Sequence, residues 1–107
     1  MIDQPEIRQY EIVRSLPFEL WLADLRDRMA RDRIEMRIRR LRIGNFGDHK
    51  PVGDGVSELR VDHGPGYRIY YGVQKRSVVV LLAGGNKGTQ SADIRLAQRL
   101  WKNWSES

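Results

Sequence analysis

The sequence predicts an α+β domain: a mostly antiparallel four-stranded sheet, a helical hairpin packed on one face and a C-terminal helix. Three observations predict it. Two adjoining stretches between Ser15 and Leu41 repeat apolar residues every three or four positions, which is the period of an amphipathic helix. Three later stretches are rich in β-branched and aromatic residues, and the connections between them are too short for anything but antiparallel neighbours. From Ser91 the helical period returns. The order is β-α-α-β-β-β-α in a single domain over residues 1–107, a length that suits one core.

Each element has its own signal. Gln9 to Val13 alternates apolar and polar residues and reads as a short strand. Ser15 is an N-cap and Pro17 fits a first helical turn. Phe18, Leu22, Leu25 and Met29 then share one helix face, flanked by Trp21. Ala30, Ile34, Ile38 and Leu41 form the stripe of a second helix that Gly44 stops, with little or no loop near Ala30 to Asp32. Asn45 to Gly55 is rich in Gly, Pro, Asn and Asp and reads as a loop. Strands are expected over Val56–Val61, Tyr67–Val73 and Ser77–Leu82, the last apolar on both faces and therefore central. Gly84 to Gly88 reads as a second flexible loop. Ser91 caps a final helix whose inner side carries Ile94, Ala97, Leu100, Trp101 and Trp104.

Composition narrows the function. With 40% hydrophobic and 31% charged residues the chain is globular. No apolar run approaches the ~18 residues that would span a bilayer. The first residues carry acids and no apolar core, so no signal peptide is expected. Without cysteine there is no disulfide or thiolate metal site, which fits a reducing, cytoplasmic setting. Nineteen Lys and Arg against fourteen Asp and Glu suggest a polyanionic partner.

Strand phase says which cations matter. Leu59 and Val61 share a face, so Glu58 and Arg60 point the other way. Ile69 and Tyr71 share a face, so Arg68 and Tyr70 point the other way. If the apolar sets meet the helices, Arg60 and Arg68 stand together on the opposite face, within reach of Lys50 and Lys87 from the flanking loops. The competing reading is a pair of solvated strand arginines, or arginines paired with Glu58. His49, beside Lys50, is either a proton carrier near neutral pH or, the more common case, a solvated loop histidine. His49 and His63 have no metal-ligand spacing, and no metal or cofactor is expected. The Gly84–Thr89 stretch lacks the spacing of a phosphate-binding Walker loop. The arginines of the second helix, Arg37 and Arg40 among them, form either a second stripe for a polyanion such as RNA or a solvated helix face.

Several longer stretches are together distinctive: Arg39-Arg40-Leu41, Gly44 to Asp48, Lys50 to Gly53, Gly55 to Arg60, Gly64 to Tyr71 and Leu81 to Gln90. Through them residues 10–104 resemble the RelE/ParE toxin superfamily, and within it the phage-related, HigB-like group known as addiction module killer proteins. The resemblance implies the toxin of a type II toxin–antitoxin pair, held by a cognate antitoxin, commonly of helix-turn-helix type. RelE- and HigB-like members cleave mRNA on the ribosome. ParE-like members poison DNA gyrase instead, and a member without activity would be only an antitoxin-binding module. For a nuclease, the resemblance assigns Arg60 and Arg68 to the scissile phosphate and Lys50 and Lys87 to phosphate or proton handling, with His49 as an alternative base. The pattern of the best-known members has an aromatic or histidine acid/base near the last helix, where this chain has Gln90, Ser91 and Asp93.

Overall fold

The computed structural model describes residues 9–106. Residues 1–8, which bear on the expected absence of a signal peptide, lie outside them. The elements are β1 (Glu11–Arg14), α1 (Leu16–Asp24), α2 (Arg28–Arg42), β2 (His49–Gly53), β3 (Val56–Val61), β4 (Tyr67–Gln74), β5 (Val78–Asn86) and α3 (Gln90–Glu106), with a single 3₁₀ turn at Lys87–Thr89. The sheet has five strands in the order β1-β5-β4-β3-β2. The first pair is parallel and the rest antiparallel.

The fifth strand corrects the expectation of four. β2 lies where a loop is expected from Gly, Pro and Asp content. It is an edge strand, exposed along most of its length, so it needs no apolar pattern and tolerates Pro51. The signal for it is Asp54-Gly55. Both residues have positive φ, 56° and 81°, the geometry of a two-residue type I′ hairpin turn.

The helix break also differs. α1 ends at Asp24 with Leu25 as its C-cap, and Asp27 caps α2 by accepting from Ala30 N at 3.2 Å. Met29 therefore belongs to α2 and is exposed rather than part of the first stripe. An aspartate cap before an arginine-rich helix outweighs the apolar period that ran through it. At the other end β5 continues to Asn86, so the Gly84-Gly85 stretch is strand, not loop. Asn86 and Thr89 form a capping box across the 3₁₀ turn, and α3 starts at Gln90 instead of behind Ser91.

Two apolar layers hold the sheet. On one face Phe18, Leu22, Ala30, Ile34, Ile38 and Leu41 of the hairpin pack on Leu59, Val61, Tyr67, Ile69, Tyr71, Val79 and Leu81. On the other, Ala97 with Ile94, Leu100, Trp101 and Trp104 covers Val56, Tyr70, Val80, Leu82 and Ala83. Arg14 joins β1 to α2 by a two-pronged contact with Glu35, at 2.7 and 2.6 Å. At Gly84 a Cβ would overlap the Trp21 ring, which accounts for glycine inside a central strand. No helix among the described residues is long and apolar enough to cross a membrane.

Candidate nucleic-acid interface

The face that carries α3 also carries the cations singled out by strand phase. Arg60 and Arg68 are direct cross-strand partners, and Glu58 lies opposite Tyr70 on the same two strands. Lys50 is the partner of Glu58 on the outer side, so it stands on that face too. Arg68 pairs with Gly85 of β5, where a Cβ would collide with Asp93. Lys87 follows at the end of β5. Gly66, at a φ of 81° that favours glycine, lies next to both: a Cβ built there would be 3.7 Å from Arg68 Nη1 and from Lys87 Cβ, an ordinary contact distance.

At the centre of this set is Glu58, whose side chain is 0% exposed. Arg60 Nε donates to Glu58 Oε1 at 3.4 Å. Arg68 Nε lies 3.3 Å from the same oxygen, as an ion pair without hydrogen-bond alignment. The Gln90 amide donates to Oε1 at 3.2 Å and to Oε2 at 3.4 Å. Arg60 Nη1 reaches only 4.0 Å from the exposed Asp48 carboxylate. The Arg60 and Arg68 side chains are 33% and 14% exposed, so each is held by Glu58 yet part open to solvent. The reading in which these arginines pair with Glu58 is therefore correct about the contact. Because Glu58 is fully buried, it is the inner edges of the guanidinium groups that make it.

Tyr70 lies beside this cluster, fully buried, its hydroxyl without a hydrogen-bond partner. Burial, then the charge of Glu58, pushes that hydroxyl well above the ordinary tyrosine range. It is a poor proton donor or acceptor where it stands. Thr89 donates its hydroxyl to Asp93, which ties the first turn of α3 to the 3₁₀ turn bearing Lys87. Lys87, Gly88, Thr89, Gln90, Ser91, Ala92 and Arg95 line an open cavity of about 450 Å³ next to the cluster.

The other predicted residues fall elsewhere. His49 pairs in register with Leu59, on the hairpin face, with its ring 5.6 Å from Phe46 and Nδ1 2.8 Å from the Gly47 carbonyl. The structure does not bring it to the arginines. Adjacent residues of a strand point to opposite faces, and Lys50 is the one on the cationic face. Arg37 is committed to backbone carbonyls: it donates to Arg60 O, to Phe46 O at 3.2 Å and to Asp48 O at 3.4 Å. Its pKa is lowered, chiefly by desolvation. It fixes the segment that leads into β2 and is not presented to a ligand as a solvated arginine would be. Arg40 is exposed and, with Arg33, Met36, Arg37, Val61 and Asp62, borders a separate hollow of about 270 Å³. Among the described residues no cluster of three His, Cys, Asp or Glu side chains could hold a metal ion.

Glu58 and Gln90 are the residues that sequence reasoning undervalued. Phase puts Glu58 on the strand face of Arg60, two residues away, but carries no sign that it is completely buried. Gln90 has no local signal; only the three-dimensional docking of α3 brings it there.

Residues 21–102 match the family described as phage derived protein Gp49-like (DUF891). An uncharacterized protein of Haemophilus influenzae is 48% identical over 90 residues, 84% of this chain and 91% of its own length. Among solved structures, E. coli toxin RelE, as a double arginine-to-alanine mutant in the free state, is similar with a TM-score of 0.64. That match has 14% identity and covers 81% of this chain and 96% of RelE. A chain of the toxin–antitoxin complex RelBE2 from Mycobacterium tuberculosis is similar with a TM-score of 0.51 at 16% identity, over 78% of this chain and 98% of that one. At such identities the structural likeness is one of fold.

Proposed function

This chain belongs to the Gp49-like family of phage-derived proteins, and on that premise we propose that it is the toxin of a type II toxin–antitoxin pair. Its action is metal-independent endoribonuclease cleavage of ribosome-bound mRNA, which stops translation in the cytoplasm. The RelE fold supports the toxin role, and the likeness to a chain of a toxin–antitoxin complex supports an antitoxin partner. Exposed Leu16, Leu20, Met29, Met36 and Ile43 on and beside the hairpin give a partner protein apolar surface to cover.

The observation that carries the nuclease reading is the cross-strand pair Arg60 and Arg68, gathered on a buried carboxylate with their side chains part open. RNA can be cut by its own 2′-OH, which attacks the adjacent phosphorus and expels the 5′-oxygen. The transition state is a crowded, highly charged phosphorane. Fixed donors stabilise it more than they stabilise the ground state. Planar guanidinium forks suit phosphate oxygens, which they meet in pairs. In this mechanism Arg60 and Arg68 bind the scissile phosphate. Lys87, beside Arg68, and Lys50, across from Glu58, add positive charge and serve proton transfer.

A second reading is favoured by one observation. The described part of this face holds no histidine, and the Tyr70 hydroxyl is buried. A site whose proton carriers would have to be lysines suits a ParE-like gyrase poison, which needs no chemistry of its own. The discriminating experiment gives the purified protein to a translating extract and, in parallel, to a gyrase supercoiling assay. Codon-biased mRNA cleavage with unaffected supercoiling is expected. Intact mRNA with inhibited supercoiling would establish gyrase as the target, and no effect in either assay would leave an inactive antitoxin-binding module.

A further inference from the structure

Resting on the nuclease reading, the geometry points to Glu58 as the positioning residue of the arginine pair. Its buried carboxylate draws the Nε edges of Arg60 and Arg68 inward and so turns their Nη ends toward an RNA phosphate.

Among the described residues Glu58 is the charged side chain that the fold buries completely. A buried carboxylate persists only where donors and opposite charge meet it. Here three groups converge on it: Arg60 Nε at 3.4 Å, Arg68 Nε at 3.3 Å and Gln90 Nε2 at 3.2 Å, all measured to Oε1. Both arginines turn the same edge toward the carboxylate. A guanidinium is planar, so fixing its Nε edge fixes the direction of the two Nη groups. A lysine in either place would have no second edge, and holding it would use the same ammonium that binds phosphate. Gln90 supplies donors to both carboxylate oxygens, which ties the orientation of the pair to the docking of α3.

Glu58 cannot touch substrate itself, because no part of its side chain is exposed. Its role is exerted through the arginines. The charge arithmetic then gives a distinctive signature. One carboxylate offsets part of the positive potential of two guanidinium groups, so it weakens plain attraction for RNA while it sharpens geometry. Removing the charge should leave RNA binding as tight or tighter and slow the chemical step. A merely structural role would lower stability and bring binding and turnover down together.

The test compares wild type with Glu58→Gln, which keeps shape and an acceptor oxygen. A short single-stranded RNA is the binding probe, ribosome-dependent mRNA cleavage gives turnover, and NMR follows the Nε–Hε signals of Arg60 and Arg68. The expected result is a folded variant with RNA affinity equal to or above that of wild type. Its turnover falls on the order of 100-fold, as misplaced catalytic groups produce, and both Nε–Hε signals move. Unchanged turnover in the folded variant would overturn the proposal, and so would unmoved Nε–Hε signals. If Glu58→Gln does not fold, wild type alone decides: both Hε protons must exchange slowly with water, and fast exchange at either overturns the assignment. If wild type cuts no mRNA, the nuclease reading fails by itself, while RNA affinity and Hε exchange still decide whether Glu58 orients the pair.

Discussion

Arg68 and Tyr70 alternate with Ile69 on β4, and that phase decides what each can do. Both point to the α3 face, but Arg68 is part open while Tyr70 is sealed. The Tyr70 hydroxyl has no partner, so Tyr70→Phe removes an unsatisfied buried group. Thermal unfolding should show stability unchanged or raised by up to about 1 kcal/mol. mRNA cleavage should persist, whereas its loss would make Tyr70 the proton carrier. His49 packs near Phe46 on the other face, so His49→Ala should leave cleavage within about twofold of wild type, an effect no larger than a few tenths of a kcal/mol. Arg68→Lys keeps the charge but removes the second edge of the fork. Turnover should fall on the order of 100-fold, read by single-turnover cleavage. The pairing of residues by phase was legible in the sequence. The burial of Glu58 was not, because a Glu two positions from an Arg reads equally well as a solvated ion pair.

Turns and caps decide the elements. The β4–β5 turn places Lys75 and Arg76 at φ 53° and 62°, the left-handed region that disfavours residues with a Cβ. Arg76→Gly should therefore raise stability by about 1 kcal/mol in chemical unfolding, with no effect on cleavage, since the turn is remote from the arginine pair. The contact between β1 and α2 behaves differently with pH. The Arg14 hydrogen bonds hold the Glu35 carboxyl below its usual range. Its contribution is thus present above the unfolded-state value and is lost as pH falls through the lower folded value. Glu35→Gln should flatten that acid-side loss in unfolding curves recorded below about pH 4.5 and change little at pH 7 beyond about 1 kcal/mol. The same local chemistry explains where sequence reading faltered. The edge strand β2 lacks an apolar face and was betrayed only by Asp54-Gly55. The α1–α2 break depends on the Asp27 cap, which the continuous apolar period concealed. Gly84 and Gly85 read as a loop because close approach by Trp21 and Asp93 cannot be seen in one dimension.

The whole molecule is a sheet with two differently used faces. One is buried by a hairpin that carries most of the arginines of α2 outward. The other is shared between α3 and a small cationic cluster centred on a buried carboxylate. Net charge pointed to a polyanion, but the abundant cations of α2 are not those of the proposed site; Arg37 is spent on backbone carbonyls. Fold class and family likeness follow from apolar period, strand phase and the motif stretches. The proposed chemistry rests on contacts between β3, β4 and α3 that only the folded chain creates. The most direct measurement maps new mRNA 5′ ends in a translating extract given wild type or Arg68→Ala, each shown to be folded. Codon-phased ends are expected with wild type and none above background with the variant. Intact message with wild type, or undiminished cutting by Arg68→Ala, would contradict it.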